Sequence, residues 1–396
     1  MRKRQFLQAL AGTAAGAAAW VAMPAASAAT PVPPARPEAI RRVRAAEIGA
    51  GVVVEVETAS GLTGHGFTAI TNSPVVVSVV RDVIAEAIAG ADALAREAIF
   101  DRLQRLLVLR GLIAGHAMHA ISAVDIALWD IAGKRFGQPV WRLLGAARDV
   151  VPAYSTFGPA TLNREQLVAA ARSAVDAGQH RLKMVVAAYG AAEEARGLSL
   201  EDVLREDLER IRLVRAAVGP DVSLFIDANH GLNEYEARRF IDRVQEHGIA
   251  LFEEPLRGND VLRLADLRRH SPIPLSAGQN EGHIARWRDM ALNDSVDVLQ
   301  MNVCMCGGYT GALKIAGLAQ AFALPIDNGG GYALFNMHLH AGVANGGMVE
   351  WHVSSVALER EFYDQRFELE RDRLRLPERP GLGFNLKPEI RRRLEG

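Results

Sequence analysis

Residues 222–253 read VSLFIDANHGLNEYEARRFIDRVQEHGIALFE. A short apolar run ends in Asp227, a helix-like stretch follows, and a second apolar run ends in Glu253. The unit then repeats. Ile273 to Gln279, Val296 to Asn302, Leu324 to Asp327 and Met348 to Glu350 are further apolar runs that close on a polar or acidic residue. The closing residues are separated by 26, 26, 23, 25 and 23 positions. A strand–helix unit of that length, repeated, predicts an α/β fold whose parallel strands close into a barrel. An open doubly wound sheet shares the rhythm, but no glycine-rich nucleotide turn accompanies it here.

Chemical groups of a parallel barrel sit at the C-terminal ends of its strands and face one mouth. Asp227, Glu253, Gln279, Asn302, Asp327 and Glu350 all occupy such ends. One polar strand terminus is ordinary; six converging on one opening predict a site. Asp227 and Glu253 offer hard oxygens, and Gln279 an amide oxygen, on three consecutive strands. That donor set suits Mg²⁺, which prefers oxygen and keeps waters that a substrate can displace. Asn229, two residues past Asp227, returns to the same face. Glu254 is expected to point away from Glu253 as a structural partner.

Upstream, Ile40 to Thr68 is strand-like, with Gly61, Gly64 and Gly66 punctuating a turn, and Val75 to Leu109 has helical spacing. Together they predict a small α+β domain. At the N-terminus, Arg2, Lys3 and Arg4 precede an Ala-rich run from about Ala9 to Met23, and Ala26-Ser27-Ala28 offers a cleavage site. The run is short for a membrane span, so no stable membrane anchor is expected. The expectation is export to the periplasm or beyond, and Lys3-Arg4-Gln5-Phe6-Leu7 resembles a twin-arginine signal with lysine in the first place. The predicted layout is a signal peptide over 1–28, a proline-rich linker over 29–39, a capping domain over 40–150 joined by the tail 355–396, and a barrel over 151–354.

With 49% hydrophobic residues, a net charge of -1 and a pI near 6.9, the chain has no electrostatic footprint for nucleic acid. A small-molecule carboxylate is the expected partner. Cys304 and Cys306 are too close for an unstrained bridge and read as structural. Lysine occurs five times, at 3, 134, 183, 314 and 387. Lysine chemistry therefore has few candidates.

Residues 120–145 read AISAVDIALWDIAGKRFGQPVWRLLG. This stretch resembles the helix signature of the mandelate racemase and muconate lactonizing enzyme family of the enolase superfamily. Asp227-Ala-Asn229 followed by Glu253-Glu254-Pro255 resembles its second signature. The resemblance runs from about residue 40 onwards. It implies a modified TIM barrel, (β/α)7β, under an α+β capping domain, with Mg²⁺ on three successive strands and a homo-oligomeric assembly. It also implies abstraction of the proton α to a carboxylate, which needs cations to absorb the developing charge.

Several positions depart from that pattern. Gln279, in Gly278-Gln279-Asn280, stands where the family has a third glutamate. The protein ligands then carry two negative charges instead of three, which lowers metal affinity and strengthens the ion as a Lewis acid. The family's Lys-x-Lys reads Lys183-Met184-Val185, so the position that carries the base is a valine. The opposite histidine–aspartate dyad reads Gly329 and Asn302, while Glu350 matches the acid that binds the substrate carboxylate. The catalytic candidates are therefore Lys183, Glu350 and Asn302. Tyr154, His230, Asp327 and Asn229 are the candidate substrate contacts, and His65 could reach in from the lid. His338 and His340 read as packing residues. Loops around Thr63 to Asn72 and Arg110 to His119 are expected to select the substrate. Three functions fit: a Mg²⁺-dependent lyase or isomerase on a hydroxy or sugar acid with non-standard acid/base residues, a non-catalytic periplasmic carboxylate-binding protein, or a metal-assisted hydrolase or cycloisomerase without α-proton abstraction.

Overall fold

The computed structural model describes residues 37–108 and 115–395. The export signal and most of the linker read at 1–36, and the 110–114 part of the second substrate loop, lie outside the described residues.

The chain opens with an antiparallel meander, β1 (Ile40–Ile48), β2 (Gly51–Thr58) and β3 (Thr63–Thr68). Helical segments over 73–88 and 96–108 follow, and then the long helix His116–Phe136. Seventeen consecutive residues of that helix, Ala117 to Gly133, are buried. This is the pattern of a helix enclosed on all sides. Gly64 and Gly66 lie within β3, and a Cβ at either would collide with the carbonyl oxygen of Ala127 or Ala123. Their lack of a side chain lets strand and helix backbones touch. The expectation of a turn holds at Gly61, whose φ is 87°, but Thr63 to Thr68 is a strand, not a loop. The first substrate loop shortens accordingly to the residues after Thr68.

Eight parallel strands follow: β4 (Val150–Gly158), β5 (Arg181–Val185), β6 (Ser223–Asp227), β7 (Ile249–Glu253), β8 (Leu275–Ala277), β9 (Val298–Met301), β10 (Ile326–Asn328) and β11 (Val349–His352). The ladder runs β10-β9-β8-β7-β6-β5-β4-β11. The ring meets where the Asn328 N–H donates to the Met348 carbonyl and the Gly347 N–H to that of Ile326. Helices on the outside begin with local signals, as at Asn163–Gln166, Ser199–Asp202 and Asn233–Glu236, where each pair satisfies the other's backbone N–H in a capping box. The tail adds β12 (Arg373–Arg375) antiparallel to β4, and its last helix, Pro388–Glu395, returns to β1, with Arg391 donating to Glu55. The tail therefore binds barrel and cap together. Among the described residues no helix is long and apolar enough to cross a membrane.

Alternation fixes what faces inwards. Tyr154, Phe225 and Leu251 pack together with Val298 and Met348 as a separate apolar plug inside the ring. The next inward positions along β5, β6, β7 and β11 belong to the polar group at the mouth.

Candidate active site

Lys183 stands at the centre of this group. Its Nζ lies 2.7 Å from Glu253 Oε2, 2.8 Å from Glu350 Oε1 and 3.2 Å from Asp227 Oδ2. Lys183, Glu253 and Glu350 are each at most 1% exposed, so water screens these charges little. Burial pulls the lysine down, but Glu253 and Glu350 outweigh it and hold the ammonium well above the usual lysine range. Burial also drives Glu253 well up, with Asp227 and Glu350 adding to it, and drives Asp227 up, with Glu254 and Glu350 adding to it; Lys183 opposes both. Glu350, despite its burial, is held below the ordinary range chiefly by Lys183. The group thus carries more carboxylate than one ammonium can balance.

Neighbours orient these groups. The Asn229 N–H donates to Asp227 Oδ1 at 2.8 Å, made possible by the left-handed backbone at Asn229, whose side chain is exposed at the rim. The Thr156 hydroxyl and the Gly331 N–H (2.7 Å) both donate to Glu350. Sequence reasoning missed Thr156, although it lies two residues past Tyr154 on the same face of β4.

Among the described residues no three His, Cys, Asp or Glu side chains are grouped to hold a metal unaided. A cation here depends on Gln279. The donor set fits one: Glu253 Oε1 and Gln279 Oε1 are both buried without a hydrogen-bond partner, and both face the space beside Gly329. A side chain at 329 would collide with Gln279 Oε1 and approach Glu253 Oε1 to 3.1 Å. Buried hard oxygens without hydrogen-bond partners are what Mg²⁺ binds.

The remaining sequence candidates lie otherwise. The Asn302 side chain is fully engaged, its amide donating to the carbonyls of Gly329 (2.8 Å) and Gly331 (3.2 Å) while its oxygen accepts from the Cys304 N–H and Asn336. It anchors the β10 loop, and a carboxamide is neither an acid nor a base near neutral pH. Tyr154 is not at the mouth: it belongs to the apolar plug, its hydroxyl donating to the Asn328 carbonyl. Asp327 is likewise turned away, because β10 continues through Asn328 and its carboxylate accepts from the Met348 N–H at 2.6 Å; burial pushes it up to about 6. His230 Nε2 pairs with Glu254 at 2.9 Å, outside the ring of ligands. His65 is packed in the lid against Tyr363, and burial lowers it to about 4. His338 and His340 are buried, as are both cysteines, which are free.

Residues 166–390 match the family model described as enolase C-terminal domain-like. Residues 26–145 match that of the mandelate racemase / muconate lactonizing enzyme N-terminal domain. Arabinonate dehydratase of Saccharolobus solfataricus is 28% identical over 348 residues, covering 86% of this chain and 89% of that protein. D-galactarolactone cycloisomerase of Agrobacterium fabrum is 34% identical over 275 residues, covering 68% of each. A solved structure of L-talarate dehydratase from Polaromonas sp. JS666, complexed with Mg and L-glucarate, has a TM-score of 0.79 and 27% identity, covering 91% of this chain and 98% of that one.

Proposed function

The chain belongs to the mandelate racemase and muconate lactonizing enzyme family of the enolase superfamily, and from that premise we propose that it is a Mg²⁺-dependent lyase or isomerase acting on a sugar acid or related hydroxy acid. The observation that carries this reading is the buried set of Asp227, Glu253, Gln279, Lys183 and Glu350, with two ligand oxygens unpartnered. Asp227, Glu253 and Gln279 would hold the ion, which supplies Lewis-acid stabilisation of negative charge on a substrate carboxylate. The sugar-acid dehydratases and the cycloisomerase among its relatives support the substrate class.

Lys183 is the proton-carrying group of this reading. It rests as an ammonium, positioned to hold a substrate carboxylate or to give a proton to a departing hydroxyl. To accept an α-proton it must first release its own, and Glu350 at 2.8 Å is the nearest acceptor outside the ligand set. Gly329 and Asn302 offer no partner base on the β10 side. The usual base positions on that side are thus vacated, which disfavours two-base racemisation. A second reading has an observation of its own: with Val185, Gly329 and Asn302 at the usual base positions, a carboxylate-binding protein without turnover would keep this same cradle of Lys183 and metal-ligand oxygens.

Both are tested by incubating the protein with Mg²⁺ and a panel of sugar acids in deuterated buffer, following α-proton signals by NMR. The expected outcome is stereospecific exchange that Lys183→Met abolishes. Saturable ligand-induced stabilisation with no exchange and no turnover would favour the binding protein. Turnover without α-exchange would favour a metal-assisted ring opening or hydrolysis.

A further inference from the structure

A carboxamide has two ends of nearly equal size, and only its oxygen ligates a hard cation. Gln279 contributes to a metal site only if something selects which end faces it. Gln279 Nε2 donates to Glu254 Oε2 at 2.8 Å, and this leaves Oε1 beside Glu253 and Gly329 without a partner. Glu254 is fully buried, and its left-handed backbone (φ 41°) turns it away from Glu253. Its carboxylate is surrounded by donors: His230 Nε2 at 2.9 Å, Asn280 Nδ2 at 3.1 Å and Asn259 Nδ2 at 3.3 Å. If Gln279 flipped, a carbonyl oxygen would face that carboxylate at hydrogen-bond distance, and an NH₂ would face the cation position. Both contacts are wrong in sign.

We propose that Glu254 is a positioning residue which selects the oxygen end of Gln279, making the glutamine a neutral ligand of defined orientation to a hard divalent cation. The inference rests on the metal-site reading above and concerns what makes that site work with an amide in place of a carboxylate. His230, Asn280 and Asn259 serve it indirectly by holding Glu254. A carboxylate at 279 has oxygen at both ends and needs no such selection.

The test is a double-mutant cycle on the full chain, read as Mn²⁺ affinity by electron paramagnetic resonance and Mg²⁺ affinity by competition. Glu254→Gln keeps the shape of the side chain but presents a two-ended amide of its own. The expected result is about 10-fold or greater loss of Mn²⁺ affinity in the Gln279 background, the size usual for an outer-shell partner. In the Gln279→Glu background the same substitution is expected to cost less than about threefold, or to raise affinity, because it removes one of two carboxylates that would face each other. Unchanged affinity in E254Q, or an equal loss in both backgrounds, would overturn the proposal. Metal-free thermal unfolding checks the fold of each variant. If E254Q is too unstable to assay, Glu254→Asp, which withdraws the acceptor from Nε2, carries the same two-background comparison. A wild-type chain that binds neither Mn²⁺ nor Mg²⁺ would overturn the metal-site reading itself, a result distinct from equal losses, which overturn only the role of Glu254.

Discussion

Gly329 is where three departures from the family pattern become one structural fact. The space that a side chain would fill is taken by Gln279 Oε1, with Glu253 Oε1 3.1 Å from the same point. Asn302, in place of an acid, donates to the Gly329 and Gly331 carbonyls, which an ionised aspartate could not do. The glycine, the glutamine and the asparagine therefore support one another. Gly329→Ala is expected to lower the melting temperature by several degrees and to remove any stabilisation by Mg²⁺, because its Cβ displaces the Gln279 oxygen proposed as a ligand. Differential scanning fluorimetry with and without Mg²⁺ measures both effects. A variant with the full wild-type metal shift would refute this account of the glycine.

The helix His116–Phe136 and β3 show what the sequence discloses at the scale of elements. The helix was legible from its signature, and the strands of the barrel from apolar runs of regular spacing. Both are patterns between near neighbours along the chain. The packing of the two elements was not legible in the same way: Gly64 and Gly66 resemble turn residues until the helix is laid across them. A close contact between elements leaves only the absence of a side chain as its trace, and a turn leaves the same trace. Gly66→Ala forces a Cβ against the Ala123 carbonyl and is expected to cost about 1–3 kcal/mol or more. Urea unfolding of the variant beside Gly61→Ala, which has open space around it but a φ of 87°, separates close packing from backbone strain. A larger cost at Gly61 would contradict the packing account.

Across the whole molecule, buried titratable groups predict how stability responds to pH. Burial lowers His65, His119 and His338 to about 4 and His340 to about 3. The unfolded chain binds those protons from about pH 6.5 downwards, so stability is expected to fall as pH drops from there towards 4. Glu359 acts in the opposite direction. Burial raises it to about 8, and its Oε2 has no partner, while Oε1 accepts from the Leu334 N–H at 3.3 Å. The folded state keeps a proton that the unfolded state loses above about pH 4.5, so Glu359 lowers stability progressively between there and about pH 8. Glu359→Gln, whose carbonyl can still accept from Leu334, is expected to raise the melting temperature at pH 8–9 and change it little at pH 4.5. Melting curves of both proteins across that range decide the matter; a constant difference would show that ionisation is not the cause.

What the sequence determined by itself was the class of fold, the donor types at the strand ends and the positions where the usual bases are missing. Each is written in residue identity and short-range spacing. Only the tertiary structure decided that Lys183 is enclosed by three carboxyl groups, that Tyr154 lies beneath them in the apolar plug while Asp327 turns away, and that Glu254 accepts a hydrogen bond from the Gln279 amide. The physical reason is separation along the chain. Lys183 and Glu253 are 70 residues apart, and Thr156 and Glu350 are 194 apart, yet each pair makes a direct hydrogen bond. Periodicity tells which side of a strand a residue takes. What waits on that side is supplied by other strands, and only closure of the barrel brings them together.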